Sequence, residues 1–380
     1  MIQSLTIENF RNYDNLKLAP VSGVNVFVGQ NGSGKTNLIE SILYLSRSSS
    51  PRTKRDNNLI KWGSTHTFVE ALIKNKEDEL TISSVVTNNG GSGQKVFKHN
   101  GVICPQEKNT GTLPVTNFTP DDVTLLVDPP VKRRAYMDSV LSNLNRSFPF
   151  HLSKYKHSLV QRNYLLKRFK PPSPDELEPW NKKLAEHGLA ILEARLELIG
   201  YLQSSLGEIY NHFEKSAFKP LSIKYFDSLA DNANETPLSE EFYLQQLKSS
   251  FSLDLRYKAT QLGPHRDDYS IWHGSKNLCL FGSRGEWRSL VLALKVCELN
   301  FIERKRNLRP ILLLDDVYSE LDKSRRQALM EIIKDQQTFI TTTESSNVTL
   351  PQSSPSEIYE VAGGELKSAH VKTNINKKLA

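Results

Sequence analysis

The chain has 380 residues, 38 % hydrophobic and 24 % charged, with a formal net charge of +7; that is room for two or three domain-sized units of ordinary globular composition and excludes a disordered or collagen-like chain. Three widely spaced cysteines, Cys104, Cys279 and Cys297, make neither a disulfide framework nor a zinc site and suit a reducing compartment. No signal-peptide pattern opens the chain and no apolar run approaches the roughly 20 residues of a membrane span, so the mild excess of cations leans towards a polyanionic partner.

Ile2 to Glu8 alternates as a strand, with one slip at Ser4. Asn9 to Tyr13 follows as a loop, and Leu16 and Leu18 belong to a second short strand. Val24 to Val28 is an apolar run that ends at Gly29, as a buried strand would. The residues after it, Gly29-Gln30-Asn31-Gly32-Ser33-Gly34-Lys35-Thr36, fit G-x-x-x-x-G-K-[ST], the phosphate-binding P-loop. Leu38, Ile39, Ile42 and Leu43 then recur at helical spacing, predicting a helix to Leu45 with one buried face. A triphosphate carries dense negative charge. Glycines let backbone N–H groups close around it and deliver it to a helix N-terminus. In that pattern Lys35 reaches the β- and γ-phosphates and the Thr36 hydroxyl ligates Mg²⁺.

Ser46 to Arg55 is polar, with Arg47, Arg52, Lys54 and Arg55 cationic. It reads equally as a solvated loop or as a surface that touches nucleic-acid phosphates. From His66 to about Phe118 the pattern is short strands and turns, an antiparallel β section. Thr67 to Ile73 and Leu80 to Val86 read as strands, Asn88 to Gly93 as a flexible hairpin tip, and Asn100-Gly101 as a hairpin turn.

The character changes at Thr119-Pro120-Asp121-Asp122, which reads as a helix start. From about Val131 to Phe169 the chain is helical and basic, and Pro171-Pro172-Ser173-Pro174 breaks the run. A second long helix is predicted from about Pro179 to Phe213. Leu192, Leu196, Ile199, Leu206, Tyr210 and Phe213 give it a heptad-like seam, which suits either an antiparallel helical hairpin or an ordinary helix contact. Asp231 to Pro237 reads as a polar surface loop. The nucleotide core resumes near Leu262, and the tail from about Thr373, with Lys377 and Lys378, reads as disordered. The division expected is therefore a discontinuous head, 1–118 with 260–380, and a helical lobe, 119–259.

Ile311 to Leu314 is a wholly apolar run ending in Asp315-Asp316, the pattern of a central parallel strand. Paired with a P-loop, the two aspartates supply a Mg²⁺ ligand, Asp315, and a group that orients or deprotonates water, Asp316. Ser319-Glu320-Leu321-Asp322 follows. Phe281 to Glu286 is a small Ser-Gly turn that opens a helix, a second anion site by the helix N-terminus argument. Gln337 to Thr343 is a further strand.

A P-loop, a Ser-x-Gly-x turn, a strand ending in Asp-Asp and a Ser-x-Leu-Asp loop resemble the ATP-binding-cassette ATPases. Nearly end to end, the chain resembles the RecF family of recombination-repair proteins. The matching strings are Glu8 to Tyr13, Gly29 to Thr36, Pro51 to Thr53, Arg162-Asn163, Gly263-Pro264-His265-Arg266-Asp267-Asp268, Ser283 to Gly285, Leu312 to Asp322 and Thr338 to Thr343. The resemblance implies an α/β ATPase head of SMC-like type, with an antiparallel β section and an inserted helical arm. It implies ATP and Mg²⁺ as cofactors and slow, DNA-stimulated hydrolysis by Lys35 and Asp316. ATP contacts fall to Gly29, Asn31, Gly32, Ser33, Gly34, Lys35, Thr36, Asn37 and Arg11, with Ser283 and Gly285 reaching the partner's nucleotide. Thr36 and Asp315 hold the metal, Arg52, Lys54 and Arg55 meet DNA, and Ser283 and Asp322 lie on the seam of an ATP-dependent homodimer. It further implies RecO and RecR as partners in loading RecA onto gapped DNA, in the bacterial cytoplasm with the nucleoid and away from membranes.

The family usually has glutamine where this chain has Glu286, and often where it has Arg284. Glu286 places negative charge beside an expected phosphate site, which leaves open an ATP-binding assembly switch with little hydrolysis. Asp316 replaces the glutamate of transporter ATPases, and Thr341 to Thr343 stand where a switch histidine would be. A transporter subunit fits poorly with the basic helical insert 119–259, and that insert is too short for the long coiled coils of a chromosome-organising ATPase.

Overall fold

The computed structural model describes residues 1–75, 78–88, 93–144, 147–214, 220–229, 239–344, 350 and 354–369. The hairpin tip at 89–92, the polar loop at 231–237 and the tail from Thr373 lie outside them. In chain order the chain forms β1 (Ile2–Phe10), β2 (Tyr13–Leu18), β3 (Val24–Val28), α1 (Lys35–Arg47), β4 (His66–Asn75), β5 (Asp78–Asn88), β6 (Gly93–His99) and β7 (Val102–Cys104). There follow α2 (Gln106–Asn109), β8 (Val115–Phe118), α3 (Pro130–Ser142), α4 (Ser147–Leu166), α5 (Pro174–Phe213), β9 (Leu221–Phe226), α6 (Glu240–Ser249) and α7 (Phe251–Tyr257). The last elements are β10 (Asp268–His273), β11 (Lys276–Asn277), α8 (Leu278–Phe281), α9 (Arg284–Arg306), β12 (Ile311–Asp315), α10 (Lys323–Ile332), β13 (Thr338–Thr342), β14 (Ser356–Ala362) and β15 (Glu365–Ala369).

The chain divides into two compact units, Met1–Asp122 with Ile302–Ala380, and Val123–Phe301. The first unit holds two six-stranded sheets. One is antiparallel, ordered β2-β1-β4-β5-β6-β7, and the slip at Ser4 appears as a register shift between β1 and β4. The other is ordered β15-β14-β3-β13-β12-β8, parallel from β14 to β8. Sequence explains the difference. β4 alternates buried and half-buried positions, whereas β12 and β13 are buried at every residue, as strands covered on both faces must be. Val115 to Phe118 is likewise wholly buried and pairs with β12, so it belongs to the parallel sheet and not to the antiparallel section.

Helix α1 contacts strands of both sheets, and ten of its thirteen residues are buried. The single apolar face read from Leu38, Ile39, Ile42 and Leu43 is therefore too narrow. Tyr44 and Leu45 join the same core cluster as Phe10, Val69, Leu313 and Phe339, because a helix between two layers is covered nearly all round.

The second unit departs more from the sequence reading. The run read as one helix from Val131 to Phe169 is two, α3 and α4, separated by a turn at Asn143-Leu144. Helix α5 starts at Pro174, ahead of the expected Pro179, since Ser173 and Glu176 form a reciprocal capping box. α4 packs on α5, and the seven residues Lys167 to Ser173 between them make an antiparallel hairpin. The expected seam is buried at Leu192, Ile199, Leu206, Tyr210 and Phe213, with Leu196 half-buried. Residues 260–301, expected in the head, belong to this unit. Asp268 to His273 pairs residue for residue with β9, and Asp268 grips Arg133 of α3 through two bonds of 2.7 and 2.6 Å. The unit boundary accordingly falls inside α9 and not near Leu262.

The strings Arg162-Asn163 and Gly263 to Asp268 meet at Thr260. The fully buried Arg162 binds Asp254 at 2.7 Å and the Thr260 hydroxyl at 2.8 Å, while Asn163 accepts the Thr260 N–H and O–H, each at 2.8 Å. Gly263 has φ 121°, and a Cβ there would lie 2.3 Å from the Tyr243 hydroxyl, so only glycine fits. The buried Asp267 carboxylate accepts from Ser228 N–H, Ser228 Oγ and Tyr225 OH. His265 donates from Nε2 to the Thr260 carbonyl, and in the neutral ring Nδ1 accepts from Tyr155 OH.

Burial pushes the His265 pKa down to about 4. A histidine held neutral when folded contributes stability that is complete above its unfolded pKa near 6.5 and is lost as pH falls to about 4. The second unit is expected to lose roughly 3 kcal/mol over that window. Chemical denaturation at pH 7 and pH 4.5 checks this: His265→Gln should flatten the difference, and an unchanged slope would contradict the assignment.

Candidate functional site

The P-loop turns from β3 into α1 in the first unit. The Gly29 N–H donates to the Thr342 carbonyl of β13 at 3.2 Å, which fixes the loop to the sheet. Gly34 has φ 118°, and a Cβ there would strike the Asn12 side chain at 2.6 Å. Asn12 is a brace: its amide donates to the Ser33 carbonyl at 3.0 Å and its Oδ1 accepts from Asn37 at 2.8 Å. Tyr13 OH donates to the Gly34 carbonyl at 3.0 Å. From the other side the Gly364 N–H donates to the Ser33 carbonyl at 3.0 Å, so the β14–β15 hairpin also clamps the loop.

A cavity of about 260 Å³ opens over this loop, lined by Asn31, Gly32, Gly34, Lys35, Thr36, Asn37, Arg52, Asp315 and Asp316. Lys35 is nearly buried, and its ammonium donates to the carbonyls of Gly29 at 2.6 Å and Gln30 at 2.9 Å. Burial lowers its pKa against the pull of Asp316 and Asp315. Asp315, at the end of β12, accepts from Thr36 Oγ1 at 3.1 Å and from Thr341 Oγ1 at 2.6 Å. Asp316 adopts a left-handed backbone, φ 55°, and its N–H donates to Thr341 Oγ1 at 2.9 Å. Burial, reinforced by Asp315 and Glu320 and opposed by Lys35, raises its pKa.

These residues fit a nucleotide and a hard cation. The Ser33 hydroxyl is buried without a partner inside the loop, a donor left for an anion. Thr36 and Asp315 present oxygen ligands of the kind Mg²⁺ takes, one beside the other.

Arg11 and Arg52 converge on Glu40, whose side chain is 1 % exposed. Arg11 makes two bonds to it, at 3.0 and 2.6 Å, Arg52 donates at 3.1 Å, and Ser50 Oγ at 2.6 Å. Arg52 also donates to Asn37 at 2.8 Å and lines the nucleotide cavity. Arg11 instead spends its guanidinium on Glu40 and the Asn58 carbonyl. Lys54 and Arg55 are exposed. Sequence reasoning missed Glu40 and the Gly363-Gly364 turn, and named Asn12, Tyr13 and Thr341 only within the family strings, with no contact assigned. The available signals were a carboxylate inside a buried helix and a Gly-Gly pair between alternating strands. Glu40→Ala should destabilise the chain by about 3 kcal/mol, the low end for orphaning a buried ion-pair network, since both arginines keep some water. Urea unfolding measures this, and a loss under 1 kcal/mol would refute the role.

Ser283 and Gly285 open α9, in the second unit. The Ser283 N–H donates to Glu286 at 2.7 Å and the Glu286 N–H to Ser283 Oγ at 3.2 Å, a capping box. Lys276 binds both Glu286 oxygens, at 3.0 and 2.8 Å. Lys276 and the Ser283 contacts outweigh burial and hold the Glu286 pKa low. The charge expected to oppose phosphate is thus neutralised at home. Asp322 caps α10, accepting from the Arg325 N–H at 2.9 Å and pairing with the Arg325 guanidinium.

A P-loop on a parallel sheet, an Asp-Asp strand end beside it, a flanking antiparallel sheet and a helical insert define an ATP-binding-cassette head of the SMC type. The family model of the RecF/RecN/SMC N terminal domain matches residues 1–367. The DNA replication and repair protein RecF of Ruminiclostridium cellulolyticum is 35 % identical over 97 % of this chain and 99 % of its own. A solved structure of the recombination mediator protein RecF-ATP in the RecFOR pathway superposes with TM-score 0.86 at 31 % identity, covering 97 % of each chain. An Smc head bound to the C-winged helix domain of ScpA shares the fold at 17 % identity, TM-score 0.56. The chain belongs to the RecF family of DNA replication and repair proteins. Among the described residues no helix is long and apolar enough to cross a membrane.

Proposed function

We propose that the chain is an ATP-driven switch on DNA: it binds ATP at the P-loop, pairs with a second copy, hydrolyses slowly and thereby resets. The observation that carries this reading is the convergence of Lys35, Thr36, Asp315 and Asp316 on one cavity. Lys35 exchanges its loop carbonyls for phosphate oxygens, and Ser33 and the loop amides receive the rest of the anion. Thr36 and Asp315 would hold Mg²⁺, which supplies charge neutralisation on the phosphoryl oxygens. Asp316 orients and deprotonates the attacking water, and burial raises its pKa, which strengthens it as a base. Ser283, Gly285 and Asp322 serve the seam of the dimer. The relative's assignment to the RecFOR pathway supports RecO and RecR as partners in loading RecA at gaps. ATP turnover with and without double-stranded DNA, with Lys35→Met as control, tests the reading; turnover equal in the control would refute it.

DNA contact falls to Lys54, Arg55 and the exposed cations of the arm, among them Lys154, Lys167, Arg168 and Lys170. Such contacts are to phosphates, so binding should be weakly sequence-selective and fall steeply with salt. Reversing Lys54 and Arg55 to glutamate should weaken DNA binding about tenfold at low salt and leave ATP affinity unchanged. Reversing Arg52 should instead disturb ATP binding. Fluorescence anisotropy over a salt series measures both, and affinity insensitive to salt would contradict the electrostatic account.

A further inference from the structure

The second unit contains a cavity of about 330 Å³, between α3, α4, α5 and the Pro264-His265 segment. Nothing in the ATP reading uses it. Arg134, Lys156 and Arg195 line it, against the single carboxylate of Asp138. That carboxylate is committed: it takes Arg195 at 2.7 Å. Arg134 donates only to the Asp267 carbonyl, at 2.8 Å, a neutral acceptor, because the Asp267 carboxylate is filled by Ser228 and Tyr225. Among the described residues neither Arg134 nor Lys156 has a carboxylate within ion-pair distance. The Arg195 side chain is almost wholly buried, and its Nε–H has no hydrogen-bond partner. His265 adds no charge, since both its nitrogens are engaged in the neutral form. Tyr155 also lines it, its hydroxyl spent on His265, and the remaining walls are apolar: Val131, Ala135, Leu152, Leu159 and Ile191.

Two cations without an ion-pair partner at one side of a largely apolar cavity describe a receptor for an anion with an apolar body. A carboxylate would match one charge; a phosphate monoester matches both, and its tetrahedral oxygens suit an arginine fork beside a lysine point charge. The volume lies at the small end of ligand sites, roughly 300–1,000 Å³, which limits the body to about one base and sugar. We propose that this cavity binds a single nucleoside monophosphate unit, its phosphate held by Arg134 and Lys156 and its base against Leu152, Leu159 and Ile191. The unit comes either as a free nucleotide or as the phosphorylated end of a DNA strand. Burial, with Arg195 nearby, lowers the Arg134 pKa against the pull of Asp268, Asp267 and Asp138.

The test uses the full chain carrying Lys35→Met, so that the P-loop does not report. Titration calorimetry with deoxyadenosine monophosphate should give saturable binding of one equivalent. Lys156→Glu, at an exposed position that leaves folding intact, and Arg134→Gln should each weaken it at least tenfold, while deoxyadenosine without phosphate should bind more weakly than the monophosphate. Competition by oligonucleotides identifies the source: displacement by a strand with a terminal phosphate, and not by the same strand without it, marks a strand end, and displacement by neither marks the free nucleotide. No saturable binding, or binding that Lys156→Glu and Arg134→Gln leave unchanged, overturns the proposal. Lys156→Glu in the otherwise unaltered chain should keep ATP affinity within twofold, so failure here leaves the P-loop reading standing, and failure of the P-loop reading leaves this one standing.

Discussion

Lys35→Met is expected to abolish tight ATP binding, and Asp316→Asn to keep ATP binding while slowing hydrolysis by roughly 10²–10⁴-fold. The two residues face one cavity but do different work. Lys35 is the ammonium nearest the loop carbonyls, and without an anion it rests on Gly29 and Gln30. Methionine keeps its length and removes the charge, so the phosphate loses its principal cation in a site where burial already makes isolated charge costly. Asp316 is anchored through its backbone N–H to Thr341 Oγ1. Asparagine therefore preserves the position and the metal ligand Asp315, and removes only the proton acceptor. Filter binding and single-turnover hydrolysis separate the effects. Equal loss of binding in both variants would contradict this division of labour.

Ser283→Arg is expected to abolish ATP-dependent dimerisation while leaving the affinity of one chain for ATP nearly intact. A P-loop contacts the triphosphate from one side and leaves the γ-phosphate open on the other. Ser283 is exposed at the start of a long helix, and in the proposed dimer its hydroxyl would supply the complementary contact from a second copy. Arginine at that position adds bulk at a residue outside the lining of the P-loop cavity. Glu286→Gln should change dimerisation little, because the carboxylate is already neutralised by Lys276 and turned onto the Ser283 amide. Size-exclusion chromatography with light scattering reads both variants; a Ser283→Arg dimer in ATP would refute the seam.

The P-loop, the strand ending in Asp315-Asp316 and the parallel strands around them were legible because each is a local pattern. A glycine spacing, an apolar run and a terminal carboxylate pair need no tertiary knowledge to be recognised. What escaped were features made by elements far apart in sequence. Glu40 gains its meaning from Arg11 and Arg52, which arrive from a strand turn and a loop on either side of α1. The Gly364 clamp on Ser33 joins residues separated by most of the chain. That Arg52 also lines the nucleotide cavity was not legible, because charge on a polar stretch is the same signal whether it faces solvent or a pocket. The assignment of 260–301 to the head failed for a related reason: β9 and β10 are marginal strands by pattern, and only their pairing shows which unit they complete. Likewise the apolar residues of α1 identified a helix but not that a second sheet covers its other side.

The central claim is that ATP, and not ADP, joins two copies of this chain, and that hydrolysis at Asp316 releases them. Sedimentation velocity of the wild-type chain and of Asp316→Asn, each with ATP, with ADP and without nucleotide, tests it most directly. The account predicts a dimer with ATP, more persistent in Asp316→Asn, and a monomer in the other two conditions. A monomer in all three conditions, or a dimer indifferent to nucleotide, would contradict it.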